Sequence, residues 1–425
     1  MSDPRSAPPG APHSLRRTLG VWRVSLTGIG VILGAGVYAL IGPAAAEAGN
    51  AMWLAFVLAG ATAGLTAYTY ARLGKLRPKD SPEFQYTAMA FGPTTGFVAG
   101  WLMLAADLLA AATVALGFGG YLAHLAGTPV ALNALGLLAA TAIVLYAGIA
   151  RSVGLAIVLT FVEAAGLLFV IGIGIPFWPG TDFLEAPRGA GGIWSAASLI
   201  FFAYLGFDEL GNLAEEMRRP ERDLPRALFI SMVATTAIYV LVALSATGAV
   251  GWRDLSVSEA PLALVARQAL GARADAALSI IALCATANTV LLLLLSASRS
   301  VYGMASAGML PGALAVVSGK TAIPLVASVV VVGGTAPLVL LGDLAKVAAM
   351  TDAAVLSSFL MVNLALVWLS TRRAIERRLA DRLLPGAGGL LCVWLLTHAG
   401  WVGLAAAGAL TVAGLLIARR ARPAG

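Results

Sequence analysis

The chain has 425 residues, 59% hydrophobic and 12% charged, which excludes a soluble globular domain and points to a helical protein crossing a membrane several times. Its formal net charge of +7 comes from basic residues that border apolar runs instead of forming one stripe, which argues against a nucleic-acid surface. Cys284 and Cys392 are far apart inside apolar runs, and His13, His124 and His398 stand alone, so no disulfide framework, metal site or cofactor is expected.

In chain order, residues 1–20 are rich in Pro, Ser and Arg and read as a disordered cytosolic tail, not a cleaved signal. Apolar runs able to cross roughly 30 Å of hydrocarbon follow at 22–46, 50–73, 94–123, 129–150, 152–178, 193–217, 224–250, 276–306, 322–341, 344–370, 385–399 and 401–418. The predicted fold class is therefore an all-α polytopic membrane protein with twelve transmembrane helices. With the N-terminus inside, only Arg188, Arg253, Arg267, Arg273 and Lys346 of the 28 basic residues fall outside the cytosolic half. That asymmetry predicts an even number of spans with both termini in the cytosol, because basic loops resist translocation, and the expected location is the plasma membrane. No connecting stretch is long enough for an independent domain. The third long connector, 251–275, carries a helical pattern and reads as an extracellular cap or a simple surface connector.

Two spans contain interruptions. "GVILGAG" at 30–36 places Gly30, Gly34 and Gly36 inside the first run, and close helix packing through a GxxxG pattern would explain them alone. The sixth run, "SAASLIFFAYLGFDELGNLAEEM", sets Asp208 and Glu209 between Gly206 and Gly211, and acidic groups in hydrocarbon are expected to face a cavity or a partner. Spans one to five and six to ten make two equal blocks of odd length, so the second copy inverts. This is a 5+5 inverted repeat with broken helices 1 and 6, plus two extra C-terminal helices, divided as 21–179, 180–370 and 371–425. In that plan the broken helices leave unpaired backbone groups for a substrate, and glycine permits the unwinding.

The stretches "GVILGAGVYALIG" (30–42), "FFAYLGFDELGNLAEEMRRPERDLPRAL" (201–228), "SASRSVYGMASAGMLP" (296–311) and "LAKVAAMTDAAVLSSFLMVNLALV" (344–367) resemble the amino acid, polyamine and organocation superfamily of secondary transporters, in its amino acid permease branch. The resemblance implies that the amides of Gly34, Ala35 and Gly36 receive an amino acid carboxylate. It implies too that the carbonyls of Ile32, Phe202, Ala203 and Leu205 take the ammonium. Phe202 matches an aromatic lid over the substrate, where the alternative is a packing phenylalanine. Glu215 and Arg222 fall in a charged segment that serves topology and, in the family, the inner gate.

Asp107 shares a helix face with Gly100, Ala110, Ala111 and Gly117, which suits a helix interface with a buried hydrogen bond or a pocket role, and Asp352 reads similarly. Ala35, Ala110 and Leu293 near the expected pocket offer no acidic partner, favouring a neutral amino acid over polyamines or ethanolamine-like amines. Glu163, with Thr160 and Gly166 on its face, stands where relatives carry a lysine in place of a sodium ion. A carboxyl group there can carry a coupling proton, help bind sodium, or be structural. The expected function is secondary active transport of amino acids by alternating access, as proton-coupled symport or exchange. An amine transporter of the same fold and a non-transporting sensor are the alternatives. No G-x-x-x-x-G-K-[ST] element or catalytic constellation is present, so neither an ATP-driven pump nor an enzyme is indicated.

Overall fold

Among the described residues the chain is largely helical, with glycine and proline punctuating it. The computed structural model describes residues 20–76, 81–146, 149–208, 210, 217–306, 308–317, 324–372, 374 and 378–420. The first apolar run is split into α1 (Val21–Ile32) and α2 (Gly36–Ala48), followed by α3 (Met52–Gly74). Prolines open the next two helices, α4 (Pro82–Phe91) and α5 (Pro93–Ala126), where a missing N–H costs nothing. Then come α6 (Val130–Tyr146), α7 (Ile149–Gly174), α8 (Gly189–Leu199), α9 (Pro220–Val250), α10 (Trp252–Val257) and α11 (Pro261–Leu270). The C-terminal part holds α12 (Ala272–Ser306), α13 (Leu325–Val339), α14 (Leu344–Thr371), α15 (Ala380–His398) and α16 (Gly400–Arg420).

Seven helical stretches among the described residues are long and apolar enough to cross a membrane, and α1, α6 and α13 are shorter apolar helices. The chain is a multi-pass membrane protein. One feature departs from the sequence reading, whereas the break in the sixth run and the helical pattern at 251–275 agree with it. The connector between the second and third apolar runs, to which the sequence assigns no span, contains α4, whose Glu83, Tyr86 and Thr87 are buried. The sixth run is helical only to Leu199 and then tightens into a 3-10 turn at Phe201–Tyr204. The 251–275 connector is two helices, α10 and α11. Glu209, Glu215 and the tail at 1–19 lie outside the described residues.

Helix α5 is the central post, flanked by α4, α6, α12, α14 and α16. Lipid supplies no hydrophobic drive between helices, so close approach has to come from small residues. Gly117 accordingly backs onto Ala39, and Gly96 onto Ala88.

Polar clasps add direction. Asn363 of α14 accepts from Thr69 at 2.6 Å and donates to Thr66 at 3.0 Å, both on α3. Asp381 at the start of α15 is fully buried and takes a bidentate pair from Arg72 at 2.7 and 2.6 Å, with the Tyr68 hydroxyl at 2.7 Å. Removing one partner of such a pair strands the other, at a cost of about 3–5 kcal/mol. Asp381→Ala is therefore expected to lower the unfolding temperature in detergent markedly, and an unchanged melting curve would show that the α3–α15 clasp contributes little.

Candidate substrate site

The backbone of the first interrupted helix opens at three residues. Leu33 leaves the helical region with φ −66 and ψ 55, and helical geometry resumes at Gly36. The amide of Gly34 turns back to Ile32 O at 2.6 Å, and that of Ala35 donates to the Thr289 hydroxyl of α12 at 2.9 Å. Gly36 begins α2, where the first N–H groups have no partner within the helix and the dipole favours an anion.

The second interruption packs against the first. After the 3-10 turn, Gly206 adopts φ +107, a conformation that L side chains rarely take. A Cβ on Gly206 would stand 2.8 Å from Val31 Cγ1, and one on Gly36 would stand 2.6 Å from Ala203 Cβ. Each break thus supplies the glycine that lets the other approach.

Two side chains from outside hold this junction. The Tyr239 hydroxyl of α9 sits 2.7 Å from Ile32 O and 3.0 Å from Ala203 O, so it ties a carbonyl of each break. Asp352 Oδ1, on α14, accepts from the Phe202 amide at 2.7 Å. Tyr239 and Thr289 could not be singled out in the sequence, since each reads as one more residue of an apolar helix.

A cavity of about 590 Å³ lies on these breaks. Ile32, Gly34 and Gly36 line it from the first, and Phe202, Ala203 and Leu205 from the second. Ala35 is buried behind them. From α5 the wall takes Met103 and Asp107, one helical turn apart, while Ala110 is buried elsewhere; α12 contributes Thr289, Leu293 and Arg299. Ser81, at φ 59, and Glu83 complete it from the start of α4, and Asp208 follows the second break.

The wall is not only neutral: Asp107 and Asp208, which the sequence offers as pocket residues, line the cavity, and Glu83 joins them because α4 folds beneath it. Asp208 accepts from the Gly206 amide at 3.0 Å, and Glu83 from the Tyr70 hydroxyl at 2.6 Å. Glu163 is not on the wall. It is buried in α7, where the Tyr38 hydroxyl donates to its backbone carbonyl at 2.9 Å.

The cavity is one-sided. Exposed Arg299, Tyr302 and Val317 mark its mouth, at the end of the bundle that carries Arg72 and Lys75. The opposite end is closed. The Tyr121 hydroxyl donates to Tyr38 O at 3.2 Å and accepts from the Leu262 amide of α11 at 3.4 Å. Glu185 accepts from Asn50 at 3.0 Å and from the Trp252 indole at 2.9 Å, fastening α10 over the bundle.

A multi-pass helical bundle with two glycine-broken helices meeting at a one-sided buried cavity defines the class as a membrane transporter, not an enzyme. The comparisons sharpen this. The signature of the amino acid permease family matches residues 19–419, and the chain belongs to that family. It is 28% identical over 415 residues to the branched-chain amino acid permease BcaP of Bacillus subtilis, covering 92% of this chain and 89% of that one. It is also 28% identical to the methylthioribose transporter of the same organism, covering 90% and 88%, and to the vacuolar cationic amino acid transporter 2 of Arabidopsis thaliana, covering 84% and 60%.

Proposed function

We propose that this chain carries amino acids across the plasma membrane by alternating access, as a twelve-span protein with a 5+5 inverted repeat and both termini in the cytosol. The observation that carries the reading is the junction of the two breaks at the head of a cavity open at the basic end and closed at the other. By the positive-inside rule that mouth faces the cytosol, so the conformation is inward-open.

The substrate carboxylate is received at the unwound 34–36 segment and the N-terminus of α2, with the ammonium toward the carbonyls of Ile32, Phe202, Ala203 and Leu205. Tyr239 already holds two of these carbonyls, so the ammonium displaces or shares its hydroxyl. The side chain extends past Met103 and Leu293 toward Asp107 and Asp208. The apolar part of this wall suits the branched side chains named for BcaP. Its carboxylates suit the cationic ones named for the plant relative. Glu163 carries the coupling proton, and transport is symport or exchange. Uptake of the twenty radiolabelled amino acids and a set of polyamines into proteoliposomes, with and without a pH gradient, tests the reading. Uptake of amines alone would favour the amine-transporter alternative, and binding without uptake a sensor.

Phe202 is buried in the 3-10 turn on the cavity wall and serves as the lid that closes over bound substrate. Phe202→Ala is expected to weaken apparent affinity about tenfold, equivalent to ~1.4 kcal/mol, with the melting temperature little changed. Unaltered affinity and uptake would leave the ring a packing group.

A further inference from the structure

The turn that breaks the second helix needs its Phe202 amide satisfied in a buried place, and the acceptor comes from 150 residues away. Asp352 Oδ1 takes the bond at 2.7 Å, and the carboxyl group is fully buried, with Oδ2 lacking a hydrogen-bond partner among the described residues. A carboxyl group is costly in hydrocarbon, and a threonine or asparagine would satisfy one amide at a smaller cost. The acceptor oxygen, not the charge, is thus what this position requires, and satisfying the amide is only part of its account.

The location of the bond supplies the rest. Phe202 and Ala203 both line the cavity. Their turn has four residues, Phe201–Tyr204, and is followed after Leu205 by Gly206 with φ +107. Tyr239 ties it on the carbonyl side, at Ala203 O, and Asp352 ties it on the amide side. With the second tie cut, the peptide between Phe201 and Phe202 can rotate, and the Phe202 ring and carbonyl shift with it. The anchor is firm: the neighbouring Thr351 accepts or donates a bond to Thr113 of α5 at 3.4 Å, and the Phe359 ring, two turns along α14, packs on Phe201.

We propose that Asp352 is a positioning residue for transport: through the Phe202 amide it sets the broken turn in the orientation that presents the Phe202 ring and the Ala203 carbonyl to the cavity, and it links the turn to any displacement of α14. This rests on the cavity being the substrate site. What matters is the placement of an acceptor oxygen, so an asparagine preserves the function, whereas a glutamate, with its carboxyl group displaced by about one C–C bond, ~1.5 Å, does not.

The test compares full-length wild type with Asp352→Asn, Asp352→Ala and Asp352→Glu in liposomes, using as probe the radiolabelled standard amino acid that wild type takes up fastest. Apparent KM is expected to rise about tenfold in the alanine and glutamate forms with the maximal rate little changed, and to stay within about threefold of wild type in the asparagine form. Amide exchange in peptides spanning 200–206, read by mass spectrometry without substrate, should be about tenfold faster in the alanine and glutamate forms than in the asparagine form. If the alanine form does not fold, the asparagine and glutamate forms decide the matter between them. Wild-type exchange and KM in the glutamate form, or loss of function in the asparagine form with retention in the glutamate form, overturns the proposal. Gly36→Val serves as the separate arm. Normal uptake by that variant would refute the cavity as the substrate site, while the exchange data would still report on the Asp352 bond.

Discussion

Replacing Gly36 with valine is expected to abolish substrate binding, by a factor above about 100, while the helices remain assembled. A Cβ at this position would lie 2.6 Å from Ala203 Cβ and 2.7 Å from Ala203 Cα, and the second of these is backbone that cannot swing aside. The two breaks must then part, and displacements of about 1 Å in a binding constellation are enough for a hundredfold loss. Gly206→Ala should behave alike, since its Cβ meets Val31 Cγ1 at 2.8 Å and Val31 O at 3.0 Å, and φ +107 strains any L residue. Gly34 provides the contrast. Its Cβ would stand 3.4 Å from Thr289 Oγ1, an ordinary contact, so Gly34→Ala should bind within about threefold of wild type. Equilibrium binding to purified, monodisperse protein separates the cases. Equal losses at 34 and 36 would mean that the amides need glycine for the approach of the ligand, and that the fit of one break to the other is secondary.

The sequence suggests a different reason for Gly36, namely that glycine permits the unwinding where, by the resemblance, a carboxylate is received, and the difference shows what is legible in one dimension. Apolar runs reveal helices because a span has to satisfy its own backbone, and α3, α5, α9, α12, α14 and α16 lie close to the runs read for them. The second break is legible too, since glycines flanking acidic residues sit badly in an uninterrupted span, and the first is legible only through its repeat relation to the second. What touches each break is not legible. Ala203 against Gly36, Tyr239 on two carbonyls and Thr289 on the Ala35 amide are contacts between residues that look ordinary in their own helices. Helix α4 escaped because ten residues opening on Pro82 and carrying a glutamate look like a connector. Its place under the cavity comes from packing against α5 and α14. Asp107 against Ala110 is the same difficulty on a smaller scale: three residues apart, they lie close to one face, and only the rotation of α5 decides which reaches the wall.

Glu163→Gln is expected to abolish accumulation driven by a pH gradient while leaving substrate binding intact. Glu163 is buried, and its Oε1 has no hydrogen-bond partner among the described residues. Near it lies Asn288 of α12, whose amide donates to Thr160 at 3.1 Å and whose own Oδ1 lacks a partner among the described residues. The titratable neighbours are the hydroxyls of Tyr38 and Tyr239, and no ion pair to Glu163 occurs among the described residues. An ionised carboxylate held in hydrocarbon without a counter-charge costs about 2.5–3.5 kcal/mol on insertion scales. The carboxyl group is therefore suited to carry a proton while the site is dry and to release it when a conformational change admits water. Position strengthens the assignment. Tyr38 of α2 bonds the Glu163 carbonyl, and Tyr239 touches both breaks, so the proposed protonation site adjoins the elements proposed to hold substrate. For one proton per substrate, a gradient of about one pH unit, ~1.4 kcal/mol, drives about tenfold accumulation. Wild type in liposomes should reach that order with the outside acidic and should slow as the outside is made alkaline. The glutamine form should equilibrate the substrate without concentrating it, and exchange of internal for external substrate should continue. Full pH-driven accumulation by a folded Glu163→Gln protein would place the coupling group elsewhere, and accumulation that follows a sodium gradient in wild type would identify a different ion.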